Sequence, residues 1–215
     1  MQHFIFDLDG TLSNPEIGIL NGYRYTFEKL GMPIPSDEKL KTLIGPPLRI
    51  IFENFYGLTS SEADFAIETY RHYYNELGGA YENQLYDGIK NLLHSLAKEN
   101  KQMHIATHKG AMADKILHHF EIDQYFTHIQ HYNEEKNIIT KEKMIALILE
   151  AENVQDKNEV VMIGDRHSDI EAAHFHQIKS VAVAYGFGSV EELKNCQPTF
   201  LANDVQDLTN ILLQL

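Results

Sequence analysis

The stretch FIFDLDGTL, residues 4–12, is an apolar run that ends in two aspartates, Asp7 and Asp9. In an extended strand, residues two apart project from the same side of the backbone, so these two carboxylates should lie close together. Like charges at that separation repel, and the pKa of one carboxyl rises unless a cation lies between them. The stretch therefore predicts a strand that ends in a binding site.

Composition limits the class of protein. The 215 residues are 43% hydrophobic and 23% charged, which suits one sizeable soluble domain or a core domain with a small insert. The formal net charge of -13 argues against a nucleic-acid polymer or a membrane as partner, and we expect a monomer or homodimer. A single cysteine, Cys196, and the lack of a signal-peptide pattern predict a cytoplasmic location.

Strand-like and helix-like segments alternate along most of the chain. The strand-like runs lie at 2–7, 102–107, 126–131, 160–164, 180–184 and 199–201. The helix-like segments lie at 88–100, 111–120, 140–152, 168–176 and 204–214. This alternation predicts an α/β fold of Rossmann-like type, with a parallel sheet sandwiched by helices.

Residues 15–82 break the alternation and are predicted to form a helical insert. Asn14 is a suitable N-cap, and Pro15 suits the first position of the helix that we expect there. Thr59 and Glu62 have the spacing of a capping box for a later helix. The predicted domains are an α/β core of residues 1–14 and 83–215 and a small helical cap of residues 15–82.

Polar residues follow three of the predicted strands. They are Asp7, Asp9 and Thr11 after the first strand, Thr107, His108 and Lys109 after the second, and Asp165 and Asp169 in GDRHSD, residues 164–169. Ligands of open parallel sheets bind beyond the carboxyl ends of the strands, where these groups should converge. The histidines show no zinc-hydrolase spacing, so most are interpreted as surface or core residues.

These motifs resemble those of the haloacid dehalogenase superfamily of hydrolases with a helical cap inserted after the first strand. The resemblance rests on FDLDGTL (6–12), Thr107, a lysine ahead of the last motif, and GDRHSDI (164–170). Three further segments, IGPPL (44–48), YDGI (86–89) and YGFGSVEEL (185–193), are similar to those of phosphoglycolate phosphatase-like and 5′-nucleotidase-like members.

The resemblance implies a role for each aspartate. Asp7 is expected to be a nucleophile that forms an aspartyl-phosphate, and Asp9 a general acid and base. The expected cofactor is Mg²⁺, which prefers hard oxygen ligands. Its expected ligands are Asp7, the backbone carbonyl of Asp9 and Asp165, with Asp169 orienting a metal-bound water or the lysine.

The remaining candidates bind the phosphate or the rest of the substrate. Thr11 and Thr107 are expected to donate hydrogen bonds, and a lysine to balance the phosphoryl charge. Lys141 is favoured over Lys143 because KEKMI (141–145) places its first lysine in register with the family's motif. Two further candidates could contact the site: His108 of the predicted core and Arg49 of the predicted cap.

The expected function is Mg²⁺-dependent hydrolysis of a small phosphorylated metabolite. The subgroup resemblance slightly favours phosphoglycolate as the substrate, with a 5′-nucleotidase acting on nucleoside monophosphates as the alternative. A sugar phosphomutase would share the same motifs. A hypothesis from another class is a non-catalytic module that binds phosphate or metal, although the complete acidic set argues against it.

Overall fold

A computed structural model describes all 215 residues, and its contacts divide the chain into two compact units. The first unit comprises Met1–Asn14 and Leu85–Leu215, and the second comprises Pro15–Gln84. None of the helices combines the length and hydrophobicity that a membrane span requires.

The first unit is built on a six-stranded parallel sheet. Its strands are β1 (His3–Phe6), β4 (Gln102–Thr107), β5 (Phe126–His131), β6 (Val160–Gly164), β7 (Lys179–Val183) and β8 (Phe200–Ala202). Two short strands lie where the chain passes between the units, β2 (Ser13–Asn14) and β3 (Gln84–Leu85). The order in the large sheet is β5-β4-β1-β6-β7-β8, so β1 lies between the two halves of the sheet. The predicted parallel α/β fold is confirmed.

Helices flank this sheet. They are α5 (Ile89–Lys98), α6 (Met112–His119), α7 (Lys141–Ala151), α8 (His167–His176), α9 (Val190–Asn195) and α10 (Val205–Leu213). Met144 and Ile148 of α7 pack with Ala172 of α8 and with Ile5 of β1 in one buried cluster. Because the apolar strand β1 is covered in this way, its carboxyl end is held in a fixed position within the unit.

The second unit is helical. Its helices are α1 (Glu16–Lys29), α2 (Asp37–Lys41), α3 (Leu48–Ile50) and α4 (Ser60–Glu76), with a π-helical turn at Ile51–Phe55. Aromatic side chains form its core: the ring centroids of Tyr23 and Tyr70 lie 5.0 Å apart, and those of Phe27 and Phe52 lie 6.3 Å apart.

Local signals predicted one helix start in this unit and misjudged another. Thr59 and Glu62 make both bonds of a capping box at the start of α4. At α1, however, the predicted N-cap is wrong: Asn14 belongs to β2, and Pro15 occupies the N-cap position without a side-chain cap bond. Asn14 therefore belongs to strand β2, although its residue type favours the N-cap of α1.

Candidate active site

Asp7 follows β1 at the centre of the sheet and is 9% exposed. Its backbone N–H donates to the carbonyl of Ile163 at 2.9 Å, which extends the pairing of β1 with β6 by one residue. One carboxylate oxygen, Oδ1, accepts a hydrogen bond from the backbone N–H of Leu8 at 2.8 Å. The strand pairing therefore fixes the backbone of Asp7, and the N–H of the next residue orients its carboxylate.

Lys141, the first residue of α7, is a buried cation at this end of the sheet. Its Nζ lies 3.0 Å from Oδ1 of Asp7 and 2.8 Å from Oδ1 of Asp169, and it donates to the carbonyl of Ala106 at 2.8 Å. Burial by itself lowers the pKa of Lys141, but the two carboxylates outweigh burial and raise it. Lys143 is exposed, so of the two candidate lysines it is Lys141 that lies among the acidic residues.

Asp165, which follows β6, is fully buried. Its Oδ2 accepts a hydrogen bond from the backbone N–H of Phe187 at 2.7 Å, whereas its Oδ1 is buried without a hydrogen-bond partner. Burial first, and then the charges of Asp7 and Asp169, raise the pKa of Asp165 to about 8. A buried carboxylate with one unbonded oxygen is a ready ligand for a cation.

Three glycines lie so close to Asp165 that a side chain on any of them would clash with it. A Cβ on Gly10, whose φ is +83°, would lie 2.1 Å from a carboxylate oxygen of Asp165. A Cβ on Gly186 would lie 2.4 Å from the Asp165 Cβ, and one on Gly188 would lie 1.9 Å from its carbonyl oxygen. The loop at 185–189 therefore encloses Asp165. The sequence analysis did not assign this role to the loop, although two glycines spaced two apart just after a strand indicate that the backbone passes close to another group there.

Asp169 lies one turn into α8 and is also fully buried. Its Oδ2 accepts a hydrogen bond from the backbone N–H of Arg166 at 3.1 Å, while its Oδ1 faces Lys141. Burial raises the pKa of Asp169 to about 6, although the Lys141 ammonium opposes that rise. Oδ2 is thus hydrogen-bonded, whereas Oδ1 is ion-paired to Lys141 without a well-aligned hydrogen bond, which suits Asp169 to orient the lysine.

Asp9 is paired with a lysine that the sequence analysis left without a role. The Nζ of Lys109 lies 2.5 Å from Oδ2 of Asp9, and Oδ1 of Asp9 is buried without a hydrogen-bond partner. Burial raises the pKa of the Asp9 carboxyl, and the Lys109 ammonium opposes the rise. The raised pKa expected for one member of the Asp7 and Asp9 pair is therefore found, with burial as its main cause.

Of the other predicted residues, the two threonines are buried, whereas His108 and Arg49 are exposed. Oγ1 of Thr11 has no hydrogen-bond partner, and Oγ1 of Thr107 accepts a hydrogen bond from the backbone N–H of Lys109 at 3.2 Å. His108 follows Thr107 and is exposed. Arg49 lies in the second unit, where its guanidinium donates to Glu53 at 2.9 Å and to Asp64 at 2.5 Å.

The charges at this end of the sheet fit a divalent cation. Asp7, Asp165 and Asp169 each offer a carboxylate oxygen, and these oxygens lie within 4.8 Å of one another. The buried ammonium of Lys141 contacts two of these three carboxylates, those of Asp7 and Asp169, and Oδ1 of Asp165 has no hydrogen-bond donor. An oxygen-only ligand set of this charge is the type that Mg²⁺ prefers.

Known proteins are similar to this chain in sequence and in architecture. Residues 4–183 match the family model described as haloacid dehalogenase-like hydrolase. A 5′-nucleotidase from Pseudomonas aeruginosa is 35% identical over 98% of this chain and 95% of its own length. Tyrosine-protein kinase PtkA from Mycobacterium tuberculosis is 33% identical over 94% of this chain and 68% of its own. The crystal structure of a Clostridium difficile protein, solved as a candidate phosphatase, superposes with a TM-score of 0.93 at 37% identity, covering 98% of both chains.

Proposed function

The chain belongs to the haloacid dehalogenase-like hydrolase family, and we propose that it is a Mg²⁺-dependent phosphomonoesterase acting on a small phosphorylated metabolite. The observation that carries the proposal is the buried cluster in which Lys141 contacts both Asp7 and Asp169 beside Asp165. Such a cluster can receive a phosphoryl group, because it combines a fixed carboxylate, a cation and ligands for a metal.

In the first half of the proposed reaction, Asp7 is the nucleophile. A carboxylate oxygen of Asp7 attacks phosphorus, an aspartyl-phosphate forms, and the bond from phosphorus to the ester oxygen breaks. Asp9 donates its proton to the departing alkoxide, which leaves as an alcohol. The raised pKa of Asp9 supports this role, since it keeps the carboxyl protonated to a higher pH than usual.

In the second half, water attacks the phosphorus of the aspartyl-phosphate and Asp9 takes the proton from that water. The acyl–phosphate bond then breaks, inorganic phosphate is released and the Asp7 carboxylate is regenerated. Lys109, whose Nζ lies 2.5 Å from Oδ2 of Asp9, is the positioning residue for this acid and base in both halves.

The charge of the phosphoryl group is balanced mainly by Lys141. It is already fixed by Asp7 and Asp169, so it does not need to reorganise when charge spreads over the phosphoryl oxygens. Thr11, whose buried hydroxyl has no partner, is the proposed hydrogen-bond donor, together with Thr107. Mg²⁺, when bound by Asp7, the Asp9 carbonyl and Asp165, would neutralise the repulsion between phosphate and carboxylates.

For the substrate we place a nucleoside 5′-monophosphate ahead of phosphoglycolate. The 5′-nucleotidase of P. aeruginosa is similar over nearly the whole chain at 35% identity, which supports this order. Two crystal structures of predicted phosphoglycolate phosphatases, from Haemophilus somnus and Lactobacillus delbrueckii, are 22% and 19% identical to this chain, so they support the fold alone. The helical unit Pro15–Gln84 is proposed to be the cap that the family resemblance implies.

Hydrolysis of a panel of phosphate esters with Mg²⁺ tests the proposal. The panel contains p-nitrophenyl phosphate, nucleoside 5′-monophosphates, phosphoglycolate, sugar phosphates and pyrophosphate, and the readout is released phosphate. We expect turnover of p-nitrophenyl phosphate and the highest kcat/KM for a nucleoside monophosphate. Conversion of a sugar phosphate to its isomer without release of phosphate would instead indicate a phosphomutase.

The non-catalytic alternative is decided by the same panel. A phosphate-binding module would release no phosphate from any of these esters, although calorimetry would still detect binding of Mg²⁺ or inorganic phosphate. That combination would overturn the proposal.

We also propose a cytoplasmic location, which the free thiol of Cys196 supports.

A further inference from the structure

A second cluster of metal-ligating side chains lies within the first unit, away from the carboxyl ends of the strands. His3 is the first residue of β1, His104 lies within β4, and Glu152 follows α7. Ligand atoms of these three residues lie within 4.8 Å of one another. The cluster joins three separate elements, and the proposed phosphatase reaction makes no use of it.

The two histidines have the spacing of metal ligands. Nδ1 of His3 lies 3.3 Å from Nε2 of His104. Two histidine nitrogens bound to one tetrahedral Zn²⁺ at about 2.0–2.1 Å would themselves be about 3.3 Å apart. In the metal-free protein one proton between the nitrogens would relieve the repulsion of their lone pairs, and a metal ion could take the place of that proton.

A hydrogen-bonded chain orients His104 for this role. Nδ1 of His104 lies 2.9 Å from Oγ1 of Thr127, and that hydroxyl has two acceptors at 3.3 Å, Oε1 of Glu152 and the carbonyl of Met103. With the hydroxyl proton directed to either acceptor, the Thr127 oxygen accepts the Nδ1–H of His104, which leaves the lone pair on Nε2 facing His3. A ligating histidine whose other nitrogen is bonded in this way is typical of metal sites.

Glu152 is held in place from a third strand. Nδ1 of His128 lies 2.6 Å from Oε1 of Glu152, and the rings of His104 and His128 are neighbours with centroids 5.9 Å apart. His104 is fully buried, whereas His3 and Glu152 are partly exposed, so an ion could enter from their side. Oε1 of Glu152 is thus held by His128, 3.9 Å from Nδ1 of His104, and the cluster is accessible from the side of His3 and Glu152.

We propose that His3, His104 and Glu152 form a second metal site, which binds a divalent transition-metal ion such as Zn²⁺. Two imidazoles and one carboxylate suit Zn²⁺ far better than Mg²⁺, which prefers oxygen ligands and several waters. Binding here joins β1, β4 and α7, the elements whose opposite ends carry Asp7, Thr107 and Lys141. The site is therefore structural, and its ion stabilises the frame of the active site.

Calorimetric titration with Zn²⁺ tests the site in the full chain. The protein is stripped with EDTA, desalted and kept in excess Mg²⁺, so that the oxygen-lined cluster is occupied. We expect one Zn²⁺ to bind per chain and to raise the Tm. In His3→Asn and in Glu152→Gln the affinity should fall at least about tenfold and the rise in Tm should disappear. His3 and Glu152 are both partly exposed, so these two variants should fold.

Two further variants identify where Zn²⁺ binds. Asp165→Asn removes a carboxylate of the other cluster, and His94→Asn removes an exposed histidine of α5; both should bind Zn²⁺ as the parent does. The proposal is overturned if the parent binds no Zn²⁺, if His3→Asn binds it unchanged, or if binding is lost in Asp165→Asn while it persists in His3→Asn.

Discussion

The two ends of the central sheet carry different metal-ligating groups on the same three elements. At the carboxyl end, β1, β4 and α7 lead to Asp7, Thr107 and Lys141. Towards the other end of these elements lie the histidines of β1 and β4 and the carboxylate that follows α7, described above. The strand frame thus fixes where groups meet, while the residues at each end decide which cation fits: carboxylates favour a hard ion, and imidazoles a softer one.

The two ends also respond to burial in opposite ways. At the carboxyl end, burial raises the pKa of Asp165 to about 8, so it favours the neutral acid. At the other end, burial lowers the pKa of His104 to about 4, so it favours the neutral imidazole. In both cases the low-dielectric interior penalises charge, but the acid resists losing a proton and the base resists gaining one.

The largest expected effect comes from Asp7→Asn, which removes the proposed nucleophile at the carboxyl end of the sheet and leaves the other end unchanged. The amide cannot form the acyl phosphate, so hydrolysis of p-nitrophenyl phosphate should fall at least about 1,000-fold. Asp114→Asn, which alters an exposed carboxylate of α6, should keep full activity. Activity within tenfold of the parent in Asp7→Asn would remove the nucleophile from this account.

The next effect concerns the cation among the carboxylates. In Lys141→Met two buried carboxylates lose their partner, so kcat should fall about 100-fold. The free energy of unfolding, measured in urea, should fall by about 3 kcal/mol because a buried ion pair is broken. Lys143→Met, two residues along the same helix, should change neither value, and an equal loss in both variants would contradict the assignment.

The pH dependence of stability should separate the two ends in protein kept free of divalent ions. The folded pKa of Asp165, about 8, exceeds its ordinary 3.8, so folded protein holds the extra proton and the free energy of unfolding falls as pH rises between these values. The pKa of His104 is lowered from 6.5 to about 4, so its contribution to stability is lost as pH falls through that window.

Urea unfolding across this pH range checks both signs. Asp165→Asn should reduce the fall in stability as pH rises from 3.8 to about 8, and His104→Gln should reduce the fall as pH drops from 6.5 to about 4. If the two variants changed the slope of the profile in the same direction, the opposition between the two ends would be wrong.

The smallest expected effect lies outside both ends, at Arg49 of the helical unit. Its guanidinium already binds Glu53 and Asp64 on the surface, so Arg49→Ala should raise KM no more than about twofold and leave kcat unchanged. Steady-state kinetics with a nucleoside monophosphate measures this. A rise of tenfold or more would indicate the substrate contact that the sequence suggested for Arg49.

The sequence predicted the frame well because local patterns determine it. The apolar run before Asp7 marked β1, and buried parallel strands need such runs on both faces. Local preference failed at Asn14, where strand pairing outweighed capping. The π-helical turn at Ile51–Phe55 has no comparable local signal. Helix α9 does have one that the sequence analysis did not use, because Ser189 and Glu192 have the spacing of a capping box and Ser189 is the N-cap.

The missed parts of the sites depend on contacts between distant segments. Lys109 and Asp9 are 100 residues apart, and Phe187 and Asp165 are 22 apart, so their bonds have no short motif. The histidine cluster has no short motif for the same reason: the zinc-hydrolase spacing lies along one helix, whereas His3 and His104 come from neighbouring strands. Only pairing of the strands brings such residues together.

The Mg²⁺ dependence of hydrolysis, compared between the parent and Asp165→Asn, tests the central claim most directly. The claim is that carboxylates following β1 and β6 share one divalent ion during phosphoryl transfer. We predict that EDTA abolishes turnover of p-nitrophenyl phosphate in the parent, that Mg²⁺ restores it, and that Asp165→Asn needs at least about tenfold more Mg²⁺. Activity that survives EDTA, or an identical Mg²⁺ requirement in both proteins, would contradict the claim.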